Sequence, residues 1–194
     1  MRIVGGEWRG RELRAPEGRD TRPTTDRNRE SFASMVLSAF GLDLSGVSVL
    51  DAFAGSGALG LELLSRGAER VTFVDAARPA VACVRANLRA LGAERRASVV
   101  QGDIERLAAQ DKQLPGAPFG LLVFDPPYAL DAGRVAAVVG ALHRTGQLAP
   151  ECVITYERAA KAPSLDLAAQ GIEGVRARKP KKHGITATDL LYLP

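Results

Sequence analysis

The sequence lacks the features of several large protein classes. It has no run of about 18 uninterrupted apolar residues, and no charged-then-apolar leader precedes a cleavage site. We therefore expect a soluble, cytoplasmic protein without a membrane segment. The 194 residues are 46% hydrophobic, which suffices for one good core, or for one domain with a small appendage.

Cysteine and histidine are scarce. The two cysteines, Cys83 and Cys152, imply no disulfide framework, and we expect both to be reduced core residues. No Cys/His cluster has the spacing of metal ligands, so we expect no metal site. The two histidines, His143 and His183, show no partner pattern for a catalytic triad.

The net charge of +4 is concentrated near the ends of the chain. Residues 1–29 hold eight arginines against five acids, and residues 176–182 hold five basic residues and no acid. Residues 30–175 hold 13 basic and 16 acidic side chains. Such basic segments favour a polyanionic partner, because Lys and Arg displace counterions from phosphate backbones. The alternative is a basic surface that only aids solubility.

The middle of the chain alternates strand and helix patterns. This alternation predicts a doubly wound α/β fold, in which helices cover both faces of a mostly parallel sheet. Apolar runs predict strands at 47–50, 70–74, 97–100, 121–124 and 152–156. Helical periodicity predicts helices at 58–66, from Pro79 to Leu91, and around Val135, Val138, Val139 and Leu142.

Four acids follow successive predicted strands, at intervals of 24, 28 and 22 residues: Asp51, Asp75, Asp103 and Asp125. The carboxyl ends of parallel strands form one rim, where open α/β sheets bind their ligands. A single acid at such a position is often only a helix cap. Four at this spacing predict a ligand site.

A glycine-rich loop follows the first strand, with Gly55, Gly57 and Gly60 in the pattern G-x-G-x-x-G. Asp75 lies twenty residues after Gly55, the spacing of an acid that binds ribose hydroxyls, so the pattern suits an adenosine cofactor. No Gly-Lys-Ser/Thr is present, which argues against a Walker A site. Asp51 would repel a pyrophosphate but tolerate an ammonium and a sulfonium, which indicates S-adenosylmethionine.

A proline turn, Asp125-Pro126-Pro127-Tyr128, follows the fourth strand. Proline fixes φ and supplies no N–H, so the turn is rigid and its carbonyls are available as acceptors. The Asp125 carboxylate and the Pro126 carbonyl suit the two hydrogens of an exocyclic amine, and Tyr128 suits stacking on the ring. On these four residues alone, a structural proline turn is an equal alternative.

These motifs together resemble the bacterial small-subunit rRNA guanine-N2 methyltransferases of the RsmD family. The resemblance covers essentially the whole chain. It includes Arg22-Pro-Thr24, residues 51–60, the Asp125–Tyr128 box and His183-Gly184. It implies a Rossmann-like class I methyltransferase domain at 46–194, with an N-terminal hairpin and helix extension at 1–45.

The resemblance also implies roles for individual residues. Asp51, Phe53 and the Gly55-Ser56-Gly57 loop would lie along the methionine part of S-adenosylmethionine. Asp75 would bind the ribose and Asp103 would lie near the adenine. Asp125, Pro126, Pro127 and Tyr128 would hold the target guanine.

The N-terminal segment is predicted to contact RNA. Residues 2–13 have the pattern of a β-hairpin, and Trp8 stands among Arg9 and Arg11 as an aromatic that stacks on RNA or pins the hairpin to the body. Asp26 is predicted to cap the next helix. Arg22 to Thr24 are interpreted as a lid, or else as a plain linker.

The basic stretch at 176–183 is predicted to connect the last two strands. In it, Lys179, Lys181 and Lys182 are candidate phosphate contacts; a solvated connection is the alternative. The expected partner is small-subunit rRNA or a subunit assembly intermediate, bound by a monomer.

Three rival functions remain open from the sequence. One is methylation of another planar amine, in DNA adenine or protein glutamine, because related boxes serve both. Another is a non-catalytic RNA-binding module on a methyltransferase fold, which the intact acids and glycines disfavour. A nicotinamide oxidoreductase is the third, disfavoured by Asp51 and the proline box.

Overall fold

The computed structural model describes residues 1–16, 25–127 and 129–194. Arg22 and Thr24 of the predicted lid and Tyr128 of the proline box lie outside the described residues. No helix in the described ranges is long and apolar enough to cross a membrane.

The described strands form one eight-stranded sheet. They are β1 Ser48–Asp51, β2 Arg70–Asp75, β3 Ala97–Gln101, β4 Phe119–Phe124, β5 Leu148–Ala159, β6 Arg176–Ala177, β7 Lys181–His183 and β8 Thr186–Tyr192. Their order is β3-β2-β1-β4-β5-β8-β6, with β7 also paired to β8. Strands β1 to β5 pair in parallel, and β8 pairs antiparallel with β5, β6 and β7.

Helices cover both faces of the sheet, which confirms the predicted Rossmann-like α/β class. The α-helices are α1 Asp26–Ala39, α2 Ala58–Ser65, α3 Arg78–Leu91, α4 Ile104–Ala108 and α5 Ala132–Arg144. Helices α1 to α3 bury apolar side chains on one face of the sheet, and α4 and α5 do so on the other. On β4, Leu121 and Val123 belong to the first core and Leu122 and Phe124 to the second, as the two-residue period of a strand requires.

The strands and helices predicted between residues 47 and 156 are all present, with shifted ends. Strand β5 is longer than predicted, because its antiparallel pairing with β8 continues to Ala159. The basic stretch at 176–183 is not a plain connection. It forms the short strands β6 and β7, both hydrogen-bonded to β8.

The N-terminal segment, residues 1–16, does not form the predicted two-stranded hairpin. Arg2 and Glu12 make a single antiparallel bridge. The chain then leaves the ladder, because the N–H groups of Val4 and Gly5 each donate to the Glu62 carboxylate at 2.8 Å. This carboxylate is fully buried in α2 and also accepts from Arg66 Nε at 2.9 Å.

The cap of α1 also differs from the prediction. Thr25 is the N-cap, and its hydroxyl accepts the N–H of Asn28 at 3.3 Å. Asp26 is the first helical residue and pairs with Arg2 and Arg29. An acid in the first turn is stabilised by the N-terminal end of the helix dipole, so both residues favour the same helix start.

Candidate active site

The candidate site lies at the carboxyl ends of the central strands. The strand order reverses between β1 and β4, which makes this rim the switch point where open α/β sheets bind ligands. Asp51 is in register with Val123 of β4 and with Phe73 of β2. Asp125 lies two residues beyond Val123, and Asp75 lies two residues beyond Phe73. The Cα atoms of Asp125 and Asp75 are therefore each about 8 Å from the Cα atom of Asp51.

The strand period directs these three acids to one face. Asp51, Asp75 and Asp125 share the alternation of Val49, Phe73 and Val123, whose side chains all belong to the core under α2 and α3. The glycine loop leads into α2 on this same face. The sequence prediction that strand-end acids meet at one rim is therefore met for these three.

Asp51 is the most buried of them, at 2% exposure. Burial raises the pKa of its carboxyl to about 7, against the opposing effect of the Gly60 N–H, which donates to it at 3.1 Å. The negative charges of Asp125 and Asp75 raise the pKa further. The site therefore holds a carboxyl group that ionises near neutral pH and gains from a nearby cation.

Asp125 opens the proline turn after β4. Burial raises the pKa of its carboxyl to about 6. Pro126 is buried beneath the turn, and the Pro127 carbonyl accepts the N–H of Leu130 at 2.8 Å, which closes it. Phe53 and Phe124 pack tilted with ring centroids 6.3 Å apart, so the ends of β1 and β4 also contact through aromatic rings.

The three glycines of the loop have different surroundings. Within the described ranges, no atom lies within 4 Å of where a Cβ on Gly55 would project, so this glycine faces open space. A Cβ on Gly57 would be 3.2 Å from Val84, and one on Gly60 would be 2.4 Å from the Phe73 ring. Gly55 thus leaves room for a ligand, and Gly60 lets α2 approach β2 closely.

The other two strand-end acids bind backbone. Asp75 accepts the N–H groups of Gly55 and Ala77, both at 2.8 Å, and so holds the glycine loop. Asp103 is exposed and caps α4 by accepting the Glu105 N–H at 2.9 Å. Its described contact is that of a helix cap, and its place near an adenine stays a prediction.

Of the two roles predicted for Trp8, the structure agrees with the second: the ring pins the N-terminal segment to the body, and its assignment to RNA stacking is corrected. Its side chain is 8% exposed and packs in the core under α2 and α3, with the Arg96 guanidinium 5.5 Å from the ring centre. Burial removes the ring face that a base would need. Arg9 and Arg11 of the same segment are exposed, and Arg11 donates to the Ala90 carbonyl at 2.6 Å.

The second basic segment joins α1 to make one surface. Arg178 donates to Ser38 at 3.2 Å, Lys181 to the Ser31 carbonyl at 3.4 Å, and His183 lies 3.1 Å from the Ser31 hydroxyl. We call the exposed side chains of this region the basic surface: Arg27, Arg176, Arg178, Lys179, Lys181 and Lys182. Burial, followed by the charges of Lys181 and Arg27, lowers the pKa of His183.

A small recess lies beside the basic surface. It is lined by residues of α1, by Leu59 of α2 and by Glu157, Lys181 and His183. Glu157 follows Tyr156, the β5 partner of Phe124, and is therefore level with Asp125 on the next strand. A polyanion on the basic surface would thus lie next to the proline turn.

Sequence reasoning missed several buried polar residues. Asn87 of α3 is 1% exposed and bonds to backbone groups of the N-terminal segment and of the glycine loop. Arg158 of β5 forms a buried bidentate pair with Asp189 of β8, at 2.7 and 2.9 Å. The sequence does carry a signal for Asn87, because this polar residue stands within the apolar stripe of Val84, Leu88 and Leu91. Glu62 likewise stands among buried apolar residues of α2.

The described residues offer neither a metal site nor a reactive thiol. They include no cluster of His, Cys, Asp and Glu that could hold a metal ion. Cys83 and Cys152 are free and buried, and burial raises the pKa of Cys152 to about 12, which keeps it as an unreactive thiol.

The fold and the site define a Rossmann-like, S-adenosylmethionine-dependent methyltransferase. Buried Asp51 and half-buried Asp125 fit a cationic cofactor, and the open space at Gly55 leaves room for it. The family model described as "Conserved hypothetical protein 95" matches residues 1–191, so the chain belongs to that family. This confirms the resemblance to the RsmD family.

Relatives and solved structures agree with this assignment. The chain is 37% identical over 157 residues to "Ribosomal RNA small subunit methyltransferase D" of Escherichia coli strain K12, covering 81% of this chain and 74% of that protein. It is 43% identical over 129 residues to "Putative rRNA methyltransferase YlbH" of Bacillus subtilis strain 168, covering 66% and 67%. The structure of "Putative methyltransferase yhhF" from Escherichia coli matches with a TM-score of 0.80 at 31% identity, covering 100% of this chain and 97% of that one.

The burial of Asp51 predicts a pH effect on stability. Its pKa is about 7 in the folded protein and about 4 when unfolded, so the folded state binds more protons across this window. Raising the pH from 5 to 8 therefore costs folding free energy at this site. We expect Asp51→Asn to gain stability relative to wild type as pH rises, measured by urea unfolding at pH 5, 6, 7 and 8. Asp111→Asn, at an exposed position, is the control, and a pH-independent difference for Asp51→Asn would contradict the assignment.

Proposed function

We propose that the protein transfers a methyl group from S-adenosylmethionine to the exocyclic N2 amine of a guanine in small-subunit rRNA. The observation that carries the proposal is the pair of rim acids, buried Asp51 and half-buried Asp125, beside the glycine loop at the switch point. The names of the relatives support rRNA as the substrate class. The choice of guanine N2 follows from the resemblance to the RsmD family.

The cofactor would lie across the ends of β1 and β2. S-adenosylmethionine supplies a methyl group activated by its sulfonium. We assign its methionine part to Asp51, Phe53 and the loop Gly55 to Gly57, including Ser56. Free lone pairs of the Asp75 carboxylate suit the ribose hydroxyls, because the two N–H groups that it accepts leave acceptor capacity. Asp103 is assigned to the adenine end.

The target amine would be held by the proline turn. Its nitrogen is a poor nucleophile while the lone pair is delocalised into the ring. Hydrogen bonds from the amine to the Asp125 carboxylate and the Pro126 carbonyl favour a tetrahedral nitrogen and free that pair. Pro127 and Tyr128 are assigned to the ring of the base. Orientation of the amine towards the methyl group then supplies much of the rate.

Proton removal completes the reaction. The nitrogen becomes acidic once it is methylated, and the proton passes to Asp125 or to solvent. Because the pKa of Asp125 is about 6, the group is ionised for most of the time at pH 7.5 and is a competent acceptor.

RNA would bind along the basic surface and the N-terminal segment. Lys179, Lys181 and Lys182 are exposed on the basic surface, where Lys181 lines the recess, and Arg9 and Arg11 are exposed on the N-terminal segment. Residues 1–45 would act as an RNA-binding extension of the domain 46–194, with Arg22 and Thr24 near the target base.

The proposal also covers the oligomeric state of the enzyme and the assembly stage of its substrate. We assign an assembly intermediate of the small subunit as the substrate, in the cytoplasm, and a monomer as the active form. Within the described ranges, the exposed large hydrophobic side chains are Met1, Leu42 and Ile185. Three such side chains supply little apolar surface for a stable dimer interface, which favours the monomer.

Substitutions of Asp125 and of Asp75 are expected to affect catalysis and cofactor binding differently. Asp125→Ala removes the grip on the amine, so we expect kcat to fall by at least about 100-fold. We expect only a severalfold rise in the Kd for S-adenosylmethionine, because Asp51 still meets the charge of the cofactor. Asp75→Ala removes the loop anchor and the ribose contact, so we expect the Kd for S-adenosylmethionine to rise by about tenfold or more. Calorimetry measures binding, and transfer of labelled methyl to small subunits that lack the modification measures kcat.

The same assay decides between the rival functions. Nucleoside analysis of the labelled rRNA should give N2-methylguanosine, with the exposed Asp111→Ala variant as active as wild type. Labelled adenine in DNA, or labelled glutamine in protein, would replace the substrate assignment. Cofactor binding without transfer to any of these substrates would favour a non-catalytic RNA-binding module. A wild-type rate for Asp125→Ala would contradict the proposed grip.

The basic surface can be tested by the salt dependence of RNA binding. Each phosphate contact that is lost reduces the slope of log K against log salt by about 0.7 to 1. We expect Lys179→Ala and Lys182→Ala each to weaken rRNA binding and to reduce this slope, measured by filter binding at several salt concentrations. Lys112→Ala, at an exposed position between α4 and β4, is the matched control. Equal slopes in all variants would place the RNA elsewhere.

A further inference from the structure

Asn87 joins two parts of the protein that are far apart in the chain. Its carboxamide oxygen accepts the N–H of Arg14 at 2.8 Å, and its nitrogen donates to the Arg14 carbonyl at 3.1 Å. The same nitrogen donates to the Ser56 carbonyl at 2.9 Å. One side chain on α3 thus binds both the end of the N-terminal segment and the glycine loop.

The orientation of this carboxamide is set by its partners. The Arg14 N–H requires an acceptor, and the two carbonyls require donors, so only one placement of oxygen and nitrogen satisfies all three. Because the group is 1% exposed, water does not replace a lost bond without rearrangement. The Ser56 carbonyl is therefore held where Arg14 and α3 place it.

Asn87 is one of several anchors of the glycine loop, whose two ends are also bonded to β1 and β2. Asp75 fixes the N–H of Gly55, and Asn87 fixes the carbonyl of Ser56. The Ser56 hydroxyl also lies 3.5 Å from the Met1 sulfur, a second contact with the N-terminal segment. The middle of the loop is thus connected to the N-terminal segment, while its ends are held by the sheet.

We propose that Asn87 is a positioning residue that couples the N-terminal segment to the cofactor loop. RNA docked on Arg9 and Arg11 orders the segment, the segment orders the loop through Asn87, and cofactor binding is strengthened. By linkage, bound cofactor strengthens RNA binding by the same factor. The inference rests on the proposed function for the identity of both ligands.

A matched control is available in α2. The Ser65 hydroxyl donates to the Gly5 carbonyl at 2.6 Å and accepts the Trp8 N–H at 2.9 Å, so it anchors the same segment without contacting the glycine loop. Ser65→Ala therefore loosens the segment from α2, whereas Asn87→Leu cuts the connection to the loop. General destabilisation affects both variants; coupling is lost only in Asn87→Leu.

The test measures the Kd for S-adenosylmethionine by calorimetry, with and without a saturating small-subunit particle. In Asn87→Leu we expect the Kd to rise by about tenfold without RNA, the equivalent of one buried hydrogen bond. We also expect that RNA no longer improves it. In Ser65→Ala we expect a change of less than about twofold and an intact RNA effect, even where thermal unfolding shows a similar loss of stability. Asn87→Ser, which is smaller and leaves room for a water, replaces Asn87→Leu if the latter does not fold.

Each outcome decides the inference. A folded Asn87 variant with wild-type cofactor affinity and a wild-type RNA effect overturns it. Equal losses in Ser65→Ala and Asn87→Leu overturn it as well, because they would show a stability effect alone. Failure of the wild-type protein to bind S-adenosylmethionine would instead overturn the proposed function, so the two failures are distinguishable.

Discussion

The parallel pairing of β1 with β4 is the interaction on which the site depends. It places Asp51 and Asp125 on the same face at the point where the strand order reverses. Packing of α2 close to β2, through Gly60, buries Asp51 and raises its pKa. Two neighbouring acids of like charge, one buried and one half-buried, cost folding free energy, and a cationic ligand lowers that cost. The same charges that destabilise the empty site therefore favour a cationic cofactor.

The N-terminal segment is part of this arrangement. Glu62 and Ser65 hold it on α2, and Asn87 holds its end on α3. These polar groups are buried and paired, which fixes their partners more strictly than apolar packing does. A surface that carries exposed arginines is thereby joined to the helix that follows the cofactor loop. The exposed lysines of the basic surface lie in β7 and just before it, on the strand that pairs with β8 beside α1.

Much of the fold and part of the site were predictable from the sequence. Local periodicity is enough to predict β1 to β5 and their helices. The spacing of the acids is enough to predict that Asp51, Asp75 and Asp125 meet at one rim. Contacts between distant residues were not predictable. Trp8 is buried by Arg96, and the path of residues 4 and 5 depends on Glu62, which is nearly sixty positions away. Strands β6 and β7 are too short to show a periodicity, and they exist because β8 offers them a partner.

We propose that the ionised acids of the rim meet the positive charge of the cofactor. This proposal is tested most directly by the protons released on binding, measured by calorimetry at pH 6.5 in buffers of different ionisation enthalpy. Asp51 and Asp125 are partly protonated at this pH, so a cation that lowers their pKa values must displace protons. We predict release with S-adenosylmethionine, and less with S-adenosylhomocysteine, which lacks the sulfonium charge. No release, or equal release with both ligands, would contradict the account.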